Sequence, residues 1–114
     1  MIQAQFQKSE DGKTLIFTVH GHSGQAEPGQ DIVCAAASIL AYTVAQMVNT
    51  MHEDGKLKKH PRIRMDSGDA IITCKPTRQY FNEALLIYSV AQTGYDLLAH
   101  NYEKYVRVTK FGEA

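Results

Sequence analysis

Apolar and polar residues alternate from the start of the chain. Ile2, Ala4 and Phe6 share one parity and Gln3, Gln5 and Gln7 the other, the period-two pattern of a strand with one buried face. Ser9-Glu10-Asp11-Gly12 predicts a turn, because Asp-Gly supplies the positive-φ position that a tight hairpin needs. Residues 14–20, rich in Ile, Phe, Thr and Val, predict a second strand paired with the first. Residues 21–30 read as a loop that holds three of the eight glycines and Pro28.

The period then changes. From Asp31 to about Asp54, Val33, Ala37, Leu40, Val44, Met47 and Met51 recur at three- and four-residue spacing, which predicts a long helix. Ile32, Ala36, Ile39 and Thr43 make a second stripe, so burial on more than one side is expected. Gly55 ends the helix, and the basic segment Lys56-Leu57-Lys58-Lys59-His60-Pro61 follows. Residues 62–66 and 70–75 predict a second hairpin around Ser67-Gly68-Asp69. Pro76-Thr77 opens a second helix with Thr77 as its N-cap, and Phe81, Leu85, Tyr88, Ala91, Tyr95 and Leu98 form its apolar stripe. Gly94 inside that stripe costs roughly 1 kcal/mol relative to alanine. Residues 105–110 predict a last strand. The order β-β-α-β-β-α-β predicts the α+β class: a two-layer domain with a largely antiparallel five-stranded sheet and two long helices.

Composition narrows the function. With 114 residues and no repeat or linker, the chain reads as one domain over residues 1–114. Twelve Lys+Arg balance twelve Asp+Glu and 44% of residues are hydrophobic, which argues against disorder and against a strongly basic nucleic-acid binder. The N-terminus lacks the basic start and apolar run of a signal peptide. Residues 32–48 read as too short and too polar to span a bilayer, so no membrane partner is expected. A soluble, cytoplasmic protein follows, with both thiols, Cys34 and Cys74, reduced. Two cysteines make neither a disulfide framework nor a zinc site.

Candidate chemistry lies in the loop and the first helical turn: Gly21-His22-Ser23-Gly24-Gln25-Ala26-Glu27-Pro28-Gly29-Gln30-Asp31-Ile32-Val33-Cys34-Ala35-Ala36-Ala37-Ser38. Asp31 at the helix start can cap it. Cys34 falls at the third helical position, where free N–H groups and the helix dipole favour a thiolate. Ala35, Ala36, Ala37 and Ser38 leave room for a substrate backbone. His22, at the end of the second strand, can pair with Cys34, take the thiol proton and pass it to a leaving amine. Asp31 can orient that imidazole, in competition with capping. Each residue also has a bland reading, as core filler, strand end or plain cap.

Gly21-His22, Gly29-Gln30-Asp31-Ile32-Val33-Cys34-Ala35-Ala36 and Ser38 resemble the signature of the ribosomal-processing cysteine protease family, Prp. The resemblance covers the whole chain in length and element order and is sharpest over residues 21–38. It implies a homodimeric cysteine protease that removes an N-terminal extension from a large-subunit ribosomal protein after hydrophobic and aromatic residues. It implies Cys34 as nucleophile, His22 as general base, and residues 23–30 as a mobile gate that contacts substrate. No cofactor is implied. The alternative that the resemblance implies is a phage-type relative cleaving a phage protein. Ser23 and Gln25 stand where the family usually carries alanine and an aromatic residue, which bears on cleavage preference more than on catalysis.

Other residues are weighed against this reading. A metal chelate of His20, His22 and Cys34 lacks further ligands, so no metal is expected. Cys74 reads as a small buried residue, and His52, His60 and His100 as solvated. Lys56, Lys58, Lys59, Arg62 and Arg64 read as a solvated face, with contact to ribosomal RNA as the functional alternative; nucleic acid is expected to be incidental. Glu27, Glu53 and Asp54 can help to receive a basic substrate. The stripe of Phe81, Tyr88 and Tyr95 reads as core or dimer interface, since both helices carry more apolar surface than one sheet face needs. Two different classes compete with the protease: a non-catalytic ribosome- or RNA-associated binding module, and a thiol redox sensor using Cys34.

Overall fold

The alternation in the first residues places that strand inside a sheet. A computed structural model describes residues 1–21 and 30–113, with the backbone alone at residues 30 and 31. The strands are β1 (Ile2–Lys8), β2 (Leu15–His20), β3 (Arg62–Asp66), β4 (Asp69–Cys74) and β5 (Val106–Thr109). The helices are α1 (Gln30–Glu53) and α2 (Phe81–Asn101), and a 3-10 turn at Arg78–Tyr80 precedes α2. The sheet order is β3-β4-β2-β1-β5. All neighbours are antiparallel except β1 and β5, which run parallel, so the sheet is mixed.

Parity sets the two faces. Ile2, Ala4 and Phe6 on β1, Leu15 and Phe17 on β2, and Ala70, Ile72 and Cys74 on β4 are buried, while Gln3, Gln5 and Gln7 are exposed. Both helices pack on the apolar face and leave the other to water, which makes the predicted two layers. Phe6 and Phe17 stack with centroids 4.6 Å apart, and Tyr95 tilts against Phe17 at 5.4 Å. The two buried tyrosines on α2 satisfy their hydroxyls on main-chain carbonyls, as burial demands. Tyr95 donates to Ala37 O at 2.6 Å and Tyr88 to Ile72 O at 3.0 Å, so α2 is tied to both α1 and β4.

Several local expectations are corrected. Only one side of α1 is buried. Val33, Ala37, Ala41, Val44, Ala45, Val48 and Met51 face the core, whereas Ile32 and Ile39 of the second stripe are each 63% exposed. Three of the buried positions are alanines, 37, 41 and 45, and α1 packs against α2 as well as over the sheet. The helix runs on past residue 48, and over Ile32–Glu53 it is long and apolar enough to meet the measure of a membrane span, which a core helix packed in a fold also meets. Thr77 makes no side-chain cap; the 3-10 turn starts α2 instead. α2 stays continuous through Gly94. A Cβ there would come within 2.8 Å of Leu40 Cδ2 on α1, so the missing side chain lets the two helices approach.

Candidate functional site

α1 starts at Gln30, so Asp31 lies inside the first turn and Cys34 is its fifth residue, not its third. Only the first four N–H groups of a helix lack an internal partner. Cys34 therefore sits just beyond the zone the expectation relied on. The Asp31 side chain lies outside the described residues, as do His22 and the predicted gate, Ser23, Gly24, Gln25, Ala26, Glu27, Pro28 and Gly29; Gln30 contributes only backbone.

Cys34 is half-buried and opens into a groove of about 430 Å³. One wall is α1, with Cys34, Ala37, Ser38, Ala41 and Tyr42. The spacing of Cys34, Ser38 and Tyr42 puts them on one helical stripe. Ile2 and Val19 form part of the floor, and the opposite wall is the β3–β4 hairpin from Met65 through Ala70. Of the two residues expected near the nucleophile, Ser38 lines the groove, while Ala35 is exposed and does not. Tyr42 and Met65 were not singled out from sequence. Tyr42 could have been found, standing two helical turns beyond Cys34; the hairpin could not, because no local pattern places it beside α1.

Gly21 closes one end of the groove. Its φ is +93° and a Cβ would lie 2.2 Å from Met1 O, so only glycine passes here. Its N–H donates to Gly68 O at 2.9 Å, which ties the end of β2 to the β3–β4 turn. That turn is also fixed by charge. The Asp69 carboxylate accepts from His20 Nδ1 and from Arg64, and Arg64 Nε lies 3.3 Å from Asp66. His20 is exposed on the solvent face of the sheet and belongs to this network. It is not turned toward Cys34, so the weighed chelate loses one of its ligands. Among the described residues no group of three metal-binding side chains exists.

Hydrogen bonds from His20 and then Arg64 hold the Asp69 carboxyl below the usual carboxylate range. A carboxyl with a lowered folded pKa contributes its stability above the ordinary value and loses it only as pH falls through the lowered one. The hairpin wall is thus expected to keep its ion network in mildly acidic solution. Carbon chemical shifts of Asp69 should titrate with a midpoint below about 3.9; a midpoint at or above that value would contradict the network.

The two thiols differ sharply. Cys74 is 1% exposed, and burial pushes its thiol pKa up. Native protein is expected to take one equivalent of iodoacetamide, at Cys34, with Cys74 labelled only after unfolding. Peptide mass spectrometry checks this, and equal native labelling of both thiols contradicts it.

Fold and groove define a class: small two-layer α+β proteins whose helix-borne thiol faces a cleft walled by a hairpin. Within that class the chain belongs to the cysteine protease Prp family, whose family model matches residues 1–107. It is similar to the ribosomal processing cysteine protease Prp of Bacillus subtilis (strain 168), with 40% identity over 48 residues. That match takes in 42% of this chain and 43% of the relative's length. Among solved structures it resembles the ribosomal processing protease Prp of S. aureus with a covalently linked product peptide. There the identity is 26%, the coverage is 96% of this chain and 99% of that one, and the TM-score is 0.68. SMU.848 of Streptococcus mutans is similar at 25% identity and a TM-score of 0.67, over 97% of this chain and 94% of that one. The expected family and the predicted α+β order β-β-α-β-β-α-β both hold.

Proposed function

We propose that the chain is a cytoplasmic cysteine endopeptidase that removes the N-terminal extension of a large-subunit ribosomal protein. Cys34 is the nucleophile and His22 the general base. The observation that carries this reading is the opening of the half-buried Cys34 thiol into a groove of about 430 Å³, in a chain of this family. His22 enters through its place in the sequence motif.

The chemistry follows from the thiol. Imidazole takes the Cys34 proton, and sulfur attacks the scissile carbonyl to form a C–S bond. The tetrahedral intermediate collapses, the C–N bond breaks, and the imidazolium protonates the leaving amine. Water, deprotonated by the same imidazole, then attacks the thioester and releases the extension as a carboxylate with Cys34 restored. Ile2, Val19, Ala41 and Met65 give the groove an apolar lining suited to a hydrophobic or aromatic side chain before the scissile bond.

The active form is a homodimer in this reading. Ile39, Tyr42 and Met47 on α1 and Leu86, Val90 and Leu97 on α2 are each at least 42% exposed, and this apolar surface is what a second copy would cover. The deciding experiment incubates the folded protein with a ribosomal protein carrying its N-terminal extension and measures product masses. A single cut that frees the extension supports the reading; an intact substrate overturns it.

A further inference from the structure

Basic and acidic side chains cancel over the chain but not in space. A second cleft, of about 390 Å³, opens at the end of the sheet away from Cys34, lined by Gly12, Lys13, Lys58, Pro76, Arg78 and Phe81. Three of those six are cations, and among the described residues no carboxylate forms an ion pair with any of them. Nearby acids are already engaged. Glu83 holds Lys56 at 3.1 Å, and Asp11 accepts from the Ser9 hydroxyl at 2.6 Å and from the Lys13 main-chain N–H at 3.0 Å. Lys8 adds a fourth cation, its amine 5.8 Å from the Phe81 ring centroid.

The structure thereby divides the basic cluster seen in the sequence. Arg64 serves the hairpin wall of the thiol groove, Lys56 is committed to Glu83, and Lys58 turns to the second cleft beside Lys13 and Arg78. Like charges facing one cavity repel, and the lining holds no carboxylate, Asp11 beside Lys13 offsetting them only in part, so an anion is the complementary occupant. Lysine and arginine side chains that share a cleft with an aromatic ring suit phosphates on a flexible chain. The cations come from the β1–β2 turn, the α1–β3 connection and the 3-10 turn, and so give more positive charge over more length than one phosphate needs.

We infer that this cleft binds the phosphate backbone of RNA, at the opposite pole from the thiol groove and independently of peptide cleavage. The test uses the full chain and a short fluorescein-labelled single-stranded RNA, with anisotropy read at rising potassium chloride. Three neutralised phosphates predict a slope of log affinity against log salt of about −2. K13Q/K58Q/R78Q is expected to weaken binding about tenfold or more and to flatten that slope. K104Q/R107Q/K110Q removes the same charge elsewhere and is expected to change affinity about twofold or less. All six side chains lie at the surface, and matching thermal melts establish that both variants fold. Equal weakening by the two variants, or no binding by the unaltered protein at low salt, overturns the inference. Sodium phosphate at matched ionic strength separates the sources of phosphate. Displacement no better than by chloride supports a polyanion, and displacement at far lower concentration overturns RNA in favour of a free phosphate ligand.

Discussion

Cys34→Ala is expected to lower the cleavage rate by on the order of 10⁴ or more, because no other group can take over the covalent step once the sulfur is gone. The fold should be untouched. Cys34 is half-buried at the rim of the groove, and its loss opens no cavity in the packed interior. Cys34→Ser is expected to be nearly as inactive, since a hydroxyl at its ordinary pKa is a far weaker nucleophile than a thiolate. Cys74→Ala is the control. It removes a fully buried sulfur that sits against the Tyr88 hydroxyl, so it should cost about 1 kcal/mol of stability and leave cleavage intact. Reaction progress followed by mass spectrometry, beside circular dichroism of each variant, separates the two effects. Normal cleavage by Cys34→Ala would remove the thiol from the mechanism.

Phe17→Ala carries the largest expected effect on stability. The ring is fully buried, stacks on Phe6 at an interplanar angle of 11° and meets Tyr95 at 5.4 Å. Truncation of such a ring costs about 3–5 kcal/mol, a large part of the roughly 5–15 kcal/mol that holds a domain of this kind. It also withdraws the surface against which Tyr95 is held, so the Tyr95–Ala37 hydrogen bond between the helices loses its backing. Urea denaturation should show a midpoint far below that of the unaltered protein, or no folded baseline. Phe17→Leu retains most of the volume and should lose less than half as much. A small effect from Phe17→Ala would mean that the aromatic cluster is not the centre of the core.

Patterns of neighbouring residues were enough to reveal the strands, the helices and the thiol. Gln3, Gln5 and Gln7 alternate with Ile2, Ala4 and Phe6, and that alternation is the physical cause of a one-sided strand. Pairings between distant segments leave no such trace. Nothing between Arg62 and Cys74 says that their hairpin will stand opposite Cys34; that follows from the sheet order, which places β4 against β2. Alanines misled in a different way. Ala41 and Ala45 carry little hydrophobic weight and fall outside the predicted stripes, yet both are buried, while the larger Ile32 and Ile39 face outward. The separation of the two charged poles is likewise invisible in a net charge of zero, because Lys13, Lys58 and Arg78 converge only after folding.

The parallel pairing of β1 with β5 has a consequence for biosynthesis. One edge of β1 receives its hydrogen-bonding partner only from Val106–Thr109, and Ile2 N–H bonds to Tyr105 O at 2.8 Å. Synthesis must therefore reach residues 106–109 before this strand loses its open edge. Until then β1 offers unpaired main-chain groups beside an apolar face, the kind of template on which nascent chains associate with one another. The alternating glutamines on its other face keep that waiting strand hydrated on one side. Closing a loop of about a hundred residues is also slow. Truncation before residue 106 should leave a protein with most of its elements intact and a strong tendency to aggregate.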